Sequence, residues 1–196
     1  DLPIKINYEG DHVMYAITKT SAMMMGDYYH YLTGMKVFNL RLPMIFSIPE
    51  KNWYYAHGEK KIIPFLSIIR DAMSGTRLEV WGDKNMKRDY VHMDNLLQMI
   101  NLCLTTELTA GIFNVGTGEA VTTEDFIRTV AEVFSPHGEN CEIIYRPHNK
   151  TYKCTSYDIS TEHDQLGYDP IYLREMLIRL KDDIIKTNIF KKWDWK

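Results

Sequence analysis

The 196-residue sequence is poor in features that mark membrane, metal or nucleic-acid-binding proteins. No apolar run approaches the roughly 20 residues that a membrane-spanning helix needs. The formal net charge is −3, so no excess of basic residues favours nucleic acid or an anionic membrane. The seven histidines show neither H-x-x-x-H nor H-E-x-x-H spacing. We therefore predict no membrane, nucleic-acid or metal partner.

Cysteine pairs and glycine-rich turns are also missing. The three cysteines are odd in number and show no C-x-x-C spacing, which predicts reduced thiols and a cytoplasmic location. Neither G-x-G-x-x-G nor G-x-x-G-x-x-G occurs, and after Gly116-Thr117-Gly118 the third glycine position is Val121. Such a turn binds the pyrophosphate of a dinucleotide through backbone N–H groups. The sequence therefore offers no pyrophosphate-binding turn of this kind.

Helical and strand patterns alternate along the chain, which predicts an α/β fold. Apolar spacing and end signals predict helices over about 13–32, 64–73, 94–104, 123–134 and 173–187. Short apolar runs predict strands over about 36–46, 78–81, 112–115 and 141–145. Residues 50–61 are predicted to form a loop. Asp94 and Thr122 are predicted to cap the helices that follow them. The helix over about 94–104 is predicted to bury an apolar face that carries Leu97, Ile100 and Leu104.

Tyr15 and Lys19 are the most informative pair of polar residues. They are four residues apart in the first predicted helix, so their side chains share one face. A nearby ammonium stabilises a phenolate, and this would let a tyrosine exchange a proton during catalysis. An ordinary exposed helix pair worth about 0.2–0.5 kcal/mol is the alternative. The spacing alone leaves both interpretations open.

Five segments, taken in order, add context to this pair. They are Tyr15-x-x-x-Lys19, Leu40-Arg41-Leu42-Pro43-Met44-Ile45-Phe46-Ser47, Gly82-Asp83 with Arg88-Asp89-Tyr90-Val91-His92-Met93-Asp94-Asn95, Phe113-Asn114-Val115-Gly116-Thr117-Gly118, and Leu166-Gly167-Tyr168-Asp169-Pro170. Together they resemble the extended short-chain dehydrogenase/reductase family, and within it the NAD-dependent epimerase/dehydratase branch, which acts mostly on nucleotide sugars.

The resemblance implies roles for several residues. Tyr15 would be the catalytic acid/base, while Lys19 would activate it and hold the nicotinamide ribose. Pro43 would be a further contact of the cofactor, which is NAD or NADP. Arg88 and Arg146 match arginines that bind the substrate diphosphate, a task that suits the planar guanidinium.

Both arginines also have other interpretations. Arg88 could form a surface ion pair with Asp89 or Asp94. Arg146-Pro147 is followed by His148-Asn149, whereas the family usually continues with Gly-Asp. His92 lies in the Arg88 segment, and as a lone histidine it is predicted to be packed rather than catalytic.

By resemblance, the chain is expected to be the C-terminal part of a longer enzyme. Residues 1–50 would be the remnant of a Rossmann-type domain, and residues 51–196 mainly a substrate-binding part with segments that return to the Rossmann layer. The glycine-rich turn and the catalytic Ser or Thr would lie upstream. The chain alone should then be inactive and bind NAD poorly, so micromolar NAD binding in calorimetry would contradict this expectation.

The resemblance further implies a nucleotide-sugar substrate and a homodimer for the intact protein. Two alternatives differ in function. One is a relative that acts on a non-nucleotide carbonyl compound or polyol. The other is a non-catalytic redox-sensing or scaffold relative, although such a protein has no chemical need for the Tyr15–Lys19 pair.

Overall fold

A computed structural model describes residues 13–149 and 156–195, which form a mixed α/β fold. The helices are α1 Val13–Thr33, α2 Pro64–Met73, α3 Met93–Thr105, α4 Thr123–Phe134, α5 Ser160–Leu166, α6 Leu173–Thr187 and α7 Ile189–Lys192. The strands are β1 Val37–Arg41, β2 Met44–Phe46, β3 Trp53–Ala56, β4 Glu59–Ile62, β5 Leu78–Trp81, β6 Lys87–Arg88, β7 Tyr90–His92, β8 Ala110–Asn114, β9 Val121–Thr122 and β10 Ile143–Arg146. The α/β prediction is confirmed. No helix in the described ranges is long and apolar enough to cross a membrane.

Helices α2, α4 and α6 follow the sequence prediction closely. Pro64 begins α2, where its missing N–H costs no helical hydrogen bond. The predicted cap of α4 is confirmed, because the Thr122 side chain accepts a hydrogen bond from the Asp125 backbone N–H at 3.0 Å. The apolar face of α4 is buried, and it includes Phe126, Ile127, Val130 and Val133.

Helix α3 was predicted with the wrong cap and the wrong buried face. Its cap is His92, whose Nδ1 accepts from the Asp94 backbone N–H at 3.2 Å. The predicted apolar face is exposed at Leu97, Ile100 and Leu104, whereas Asn95, Met99 and Cys103 are buried. The Asn95 side chain both donates to and accepts from the backbone of Ile171, at 3.0 and 2.9 Å. These two hydrogen bonds explain why the polar residue Asn95 lies on the buried face of α3.

Residues 50–61 do not form the predicted loop. Strands β3 and β4 make an antiparallel hairpin, with Trp53 opposite Ile62 and Ala56 opposite Glu59. The turn residues His57 and Gly58 both have positive φ, at 53° and 80°. Hairpin turns of two residues favour this conformation because it matches the twist of the strands.

The predicted strand over 36–46 is two strands, β1 and β2, separated by Leu42 and Pro43. Proline has no N–H to donate to a strand partner, so the ladder stops there. The two strands then pair separately, β1 in parallel with β8 and β2 in parallel with β7. Strand β10 pairs in parallel with β5, and β6 pairs antiparallel with β9. Helix α5 lies where neither a helix nor a strand was predicted.

Two groups of buried apolar side chains hold these elements together. The larger group joins α2, α4 and α6 to β5, and includes Phe46 and Tyr90 from β2 and β7. The smaller group lies around β8 and α3 and contains Met99, Phe113 and Tyr168. The β1–β8 pair connects residues from both predicted domains, while the domain division itself stays a prediction.

Candidate functional site

Tyr15 and Lys19 lie on the first turns of α1, on the same face. The Lys19 Nζ atom is 5.5 Å from the centre of the Tyr15 ring. Both side chains are exposed, Tyr15 to 64%. The structure therefore brings the ammonium and the phenol ring together at the surface of the helix.

Helix α1, which carries this pair, packs on β1. A side chain added at Gly26 would meet the Val37 side chain at 3.0 Å. The Asn39 amide also donates to the Asp27 carboxylate at 3.4 Å. The middle of α1 is thus held against β1.

Pro43 and Arg88 lie at the same end of the β2–β7 pair. Pro43 directly precedes β2, whose first residue, Met44, is paired with Tyr90. Arg88 comes two residues before Tyr90, in β6, where it is paired with Val121 and half-buried. The fold thus places the carboxyl end of β1, Pro43 and the Arg88 segment next to one another.

The carboxylates proposed as ion-pair partners of Arg88 are bound to other residues. Asp89 is 1% exposed, and its two oxygens accept hydrogen bonds from the Thr117 backbone N–H at 3.1 and 3.0 Å. The Thr117 hydroxyl donates to the same carboxylate at 2.6 Å. Asp94 is bound to Arg179 at 2.7 Å. These contacts weaken the interpretation of Arg88 as the partner of a surface carboxylate.

Asp89 belongs to a buried polar group that sequence reasoning missed. Gly116 lies directly against it, and the Tyr168 hydroxyl donates to the Gly116 carbonyl at 3.0 Å. Burial, and then the negative charges of Asp89 and Glu162, raise the pKa of Tyr168, so its hydroxyl keeps its proton. The motifs around residues 88–90 and 113–118 were visible in the sequence, but nothing in either motif indicates that they bind each other.

Arg146 lies in a different sheet, at the end of β10 opposite Trp81. Its Nε and Nη2 atoms donate to one oxygen of Glu79, at 3.2 and 3.1 Å. The Trp81 indole N–H donates to the other oxygen at 2.7 Å. The Trp81 bond, followed by the Arg146 bonds and charge, lowers the pKa of Glu79. Arg146 therefore already has a carboxylate partner.

A second charged group lies beside Arg146, at the first turn of α4. Glu124 accepts from the Tyr145 hydroxyl at 2.6 Å and from Arg128 at 2.8 Å, and it is paired with Lys84 at 3.1 Å. These three donors, with Tyr145 contributing most, lower the pKa of Glu124 to about 2. The carboxylate is therefore ionised at neutral pH.

A cavity of about 270 Å³ opens near the buried polar group. It is lined by Tyr90, Thr117, Glu119, Val121, Thr129, Tyr172, Leu173 and Arg174. Within the described ranges, the five site residues predicted from sequence are not part of its lining. The cavity is therefore distinct from the Tyr15–Lys19 face. Among described residues, no cluster of three or more His, Cys, Asp or Glu is arranged to hold a metal ion.

NAD is the cofactor implied by resemblance, and the described residues fit one end of it. Tyr15 and Lys19 present a hydroxyl and an ammonium on one exposed face, a donor set suited to ribose hydroxyls. Because the sequence has no glycine-rich turn, it offers no comparable site for the pyrophosphate. The fit of these residues is thus to ribose hydroxyls.

Known proteins resemble this chain in sequence and fold. A dTDP-glucose 4,6-dehydratase of Xanthomonas campestris is 24% identical over 185 residues, which cover 89% of this chain and 49% of that protein. UDP-glucose 4-epimerase from Thermotoga maritima, solved with UDP-glucose, superposes with a TM-score of 0.70 at 22% identity, covering 89% of this chain and 54% of that one.

UDP-glucuronic acid 4-epimerase from Bacillus cereus, in complex with UDP-glucuronic acid and NAD, gives a TM-score of 0.64 at 21% identity, covering 95% of this chain and 55% of that one. The chain spans about half the length of the curated relatives it matches. The model of the NAD dependent epimerase/dehydratase family matches residues 5–116, more than half of the sequence. The chain belongs to the NAD dependent epimerase/dehydratase family.

Proposed function

We propose that this chain is the C-terminal, mainly substrate-binding part of an NAD-dependent enzyme that epimerises or dehydrates a nucleotide sugar. The observation that carries the proposal is the Tyr15–Lys19 pair, held on one exposed face of α1 with the Lys19 Nζ atom 5.5 Å from the centre of the Tyr15 ring. Family membership supports the reaction class. Structural neighbours solved with UDP-sugars and NAD support the substrate and cofactor classes.

Tyr15 and Lys19 would have different roles in proton transfer. As a phenolate, Tyr15 would take a proton from a sugar hydroxyl, and as the neutral hydroxyl it would return that proton, because a positioned acid/base lowers the barrier for both directions. The Lys19 ammonium favours the phenolate and donates to ribose hydroxyls, and Pro43 packs beside the same group. When bound, NAD would supply the acceptor and donor for the hydride.

Arg88 would bind the substrate diphosphate. It is half-buried, and the residue after it, Asp89, is a buried carboxylate held by Thr117. Arg146 is the weaker candidate, because a diphosphate would have to replace Glu79 on its guanidinium. That ion pair is also the one observation that favours the alternative of a non-nucleotide carbonyl or polyol substrate.

The test is Tyr15→Phe in the full-length protein from the native gene, assayed with a panel of UDP- and dTDP-sugars. Loss of a general acid/base should lower turnover by about 10²- to 10⁴-fold while substrate affinity is retained. Tyr55→Phe is the matched control, because Tyr55 is 66% exposed and lies in β3, outside α1. Normal turnover in Tyr15→Phe would rule out the proposed role.

We also propose that the intact protein is a homodimer that uses α1. None of the described side chains of this helix is buried, and exposed apolar or aromatic ones occur along its whole length. Apart from Tyr15, they are Met14, Met24, Met25, Tyr28, Tyr29, Tyr31 and Leu32. Exposed apolar surface of this extent favours an interface. A monomeric mass in light scattering of the full-length protein would contradict the proposal.

A further inference from the structure

We propose that Asp89 and Thr117 form a positioning pair that holds Arg88 in place for the substrate diphosphate. The proposal rests on the proposed function, since it assumes that Arg88 binds the diphosphate. It adds two residues that do not touch the substrate and assigns them a measurable effect on substrate affinity.

The contact between the two residues is closed to water. Asp89 is 1% and Thr117 is 4% exposed. The Thr117 backbone N–H donates to both carboxylate oxygens, and its hydroxyl donates to one of them at 2.6 Å. Hydrogen bonds to an ionised acceptor are stronger than neutral ones, and burial strengthens them further.

The loop that carries Thr117 is itself fixed. A Cβ atom at Gly116 would lie 2.6 Å from the Asp89 Oδ2 atom, so this close approach requires glycine. The Tyr168 hydroxyl holds the Gly116 carbonyl at 3.0 Å. The loop after β8 therefore offers Asp89 a rigid partner.

The anchored carboxylate determines where the neighbouring arginine points. Residues 87–92 are extended, and successive side chains of an extended chain point to opposite sides. With Asp89 held against Thr117, the Arg88 side chain points to the opposite side of the chain, where its Nε atom is buried. The backbone of Arg88 is also paired with Val121, four residues after Thr117 in the same connection. Both contacts attach the arginine to the loop after β8.

The experiment measures UDP binding by calorimetry, using the full-length protein and the variants Arg88→Ala, Thr117→Val, Thr117→Ser and the double variant R88A/T117V. Thr117→Val keeps the shape and removes the hydroxyl, so we expect UDP affinity to fall about tenfold. Thr117→Ser restores the hydroxyl and should return affinity to within about threefold of wild type. If Thr117 acts through Arg88, the double variant should bind no more weakly than Arg88→Ala alone. A merely structural role would not produce this non-additivity.

Thr129→Val is the matched control, because the Thr129 hydroxyl donates to the Asp125 carbonyl within α4. It should leave UDP affinity unchanged. If Thr117→Val does not fold, Asp89→Asn takes its place under the same criteria, since the amide has the shape of the carboxylate.

The outcomes separate the two proposals. If wild type does not bind UDP, or Arg88→Ala binds it as wild type does, the diphosphate role of Arg88 is wrong. If Arg88→Ala weakens binding but Thr117→Val does not, the positioning pair is wrong and the diphosphate role stands. Additive losses in the double variant would also overturn the positioning pair.

Discussion

Replacing Tyr168 by phenylalanine tests whether the buried polar group stabilises the fold. Tyr168 is 0% exposed, and its ring packs in the smaller core group with Met99 and Phe113. Its hydroxyl donates to the Gly116 carbonyl at 3.0 Å. Phenylalanine keeps the ring and removes only this hydroxyl, so the change isolates one hydrogen bond.

The expected loss is about 2 kcal/mol, since a buried acceptor that loses its donor costs about 1–3 kcal/mol. For a chain of this length, such a loss corresponds to a fall in Tm of about 4–8 °C. The effect also depends on pH. Burial raises the pKa of Tyr168 in the folded state, whereas an unfolded tyrosine titrates near pH 10. The folded state therefore favours the neutral hydroxyl, and this contribution is complete below about pH 10 and lost as the pH rises further.

Urea unfolding followed by tryptophan fluorescence measures both effects. Tyr172→Phe is the control, because Tyr172 is 44% exposed and its change should stay within about 0.5 kcal/mol. Between about pH 10 and 12, wild type should lose stability more steeply than Tyr168→Phe. Equal stability of wild type and Tyr168→Phe at pH 7, or equal slopes at alkaline pH, would refute the reasoning.

Two further predictions concern the charged groups on β5, β10 and α4. Glu79→Gln removes the charge that occupies Arg146, so UDP affinity in calorimetry should rise if Arg146 binds the diphosphate. Unchanged affinity would argue against that role. Glu124→Gln should destabilise the chain at pH 7, because the pKa of Glu124 is lowered to about 2 and its ionised form is favoured by folding. This difference should shrink as the pH falls from about 4.5 to 2, and urea unfolding that shows a constant difference would contradict it.

Local signals determined which elements could be predicted from sequence. Helix α4 has a threonine cap, acidic residues in its first turn and an unbroken apolar stripe, and all three features agree on one boundary and one buried face. The hairpin of β3 and β4 lacked such agreement. Its turn is His57-Gly58 rather than Asn-Gly or Asp-Gly, and its lysine-rich second strand shows no apolar alternation. The β-forming run from Trp53 to Tyr55 was the signal that could have identified it.

The buried face of α3 shows why tertiary contacts escape a single sequence. The stripe of Leu97, Ile100 and Leu104 has helical spacing, yet it is exposed. The face that packs inward includes Asn95, which is buried because its amide bonds to the backbone at Ile171, 76 residues away. Such a partner cannot be deduced from periodicity.

The contacts of the candidate site also differ in whether a single sequence can predict them. The spacing of Tyr15 and Lys19 predicted their shared face, since both residues belong to one helix. The pair of Asp89 and Thr117 is 28 residues apart, and that of Glu79 and Arg146 is 67 apart. These contacts depend on which strands pair, and that information is absent from the local pattern.

The exposure of Tyr15 and Lys19 to water limits the electrostatic effect that the Lys19 ammonium has on the Tyr15 hydroxyl. The Lys19 Nζ atom is 5.5 Å from the centre of the Tyr15 ring, and Tyr15 is 64% exposed. The attraction between two charges at such a distance is weak in water and several-fold stronger where water is excluded. We therefore expect that proton transfer requires substrate, cofactor or further protein to cover this face. Only the removal of water would raise the attraction between the Lys19 ammonium and a negative charge on Tyr15 above that of an ordinary helix pair.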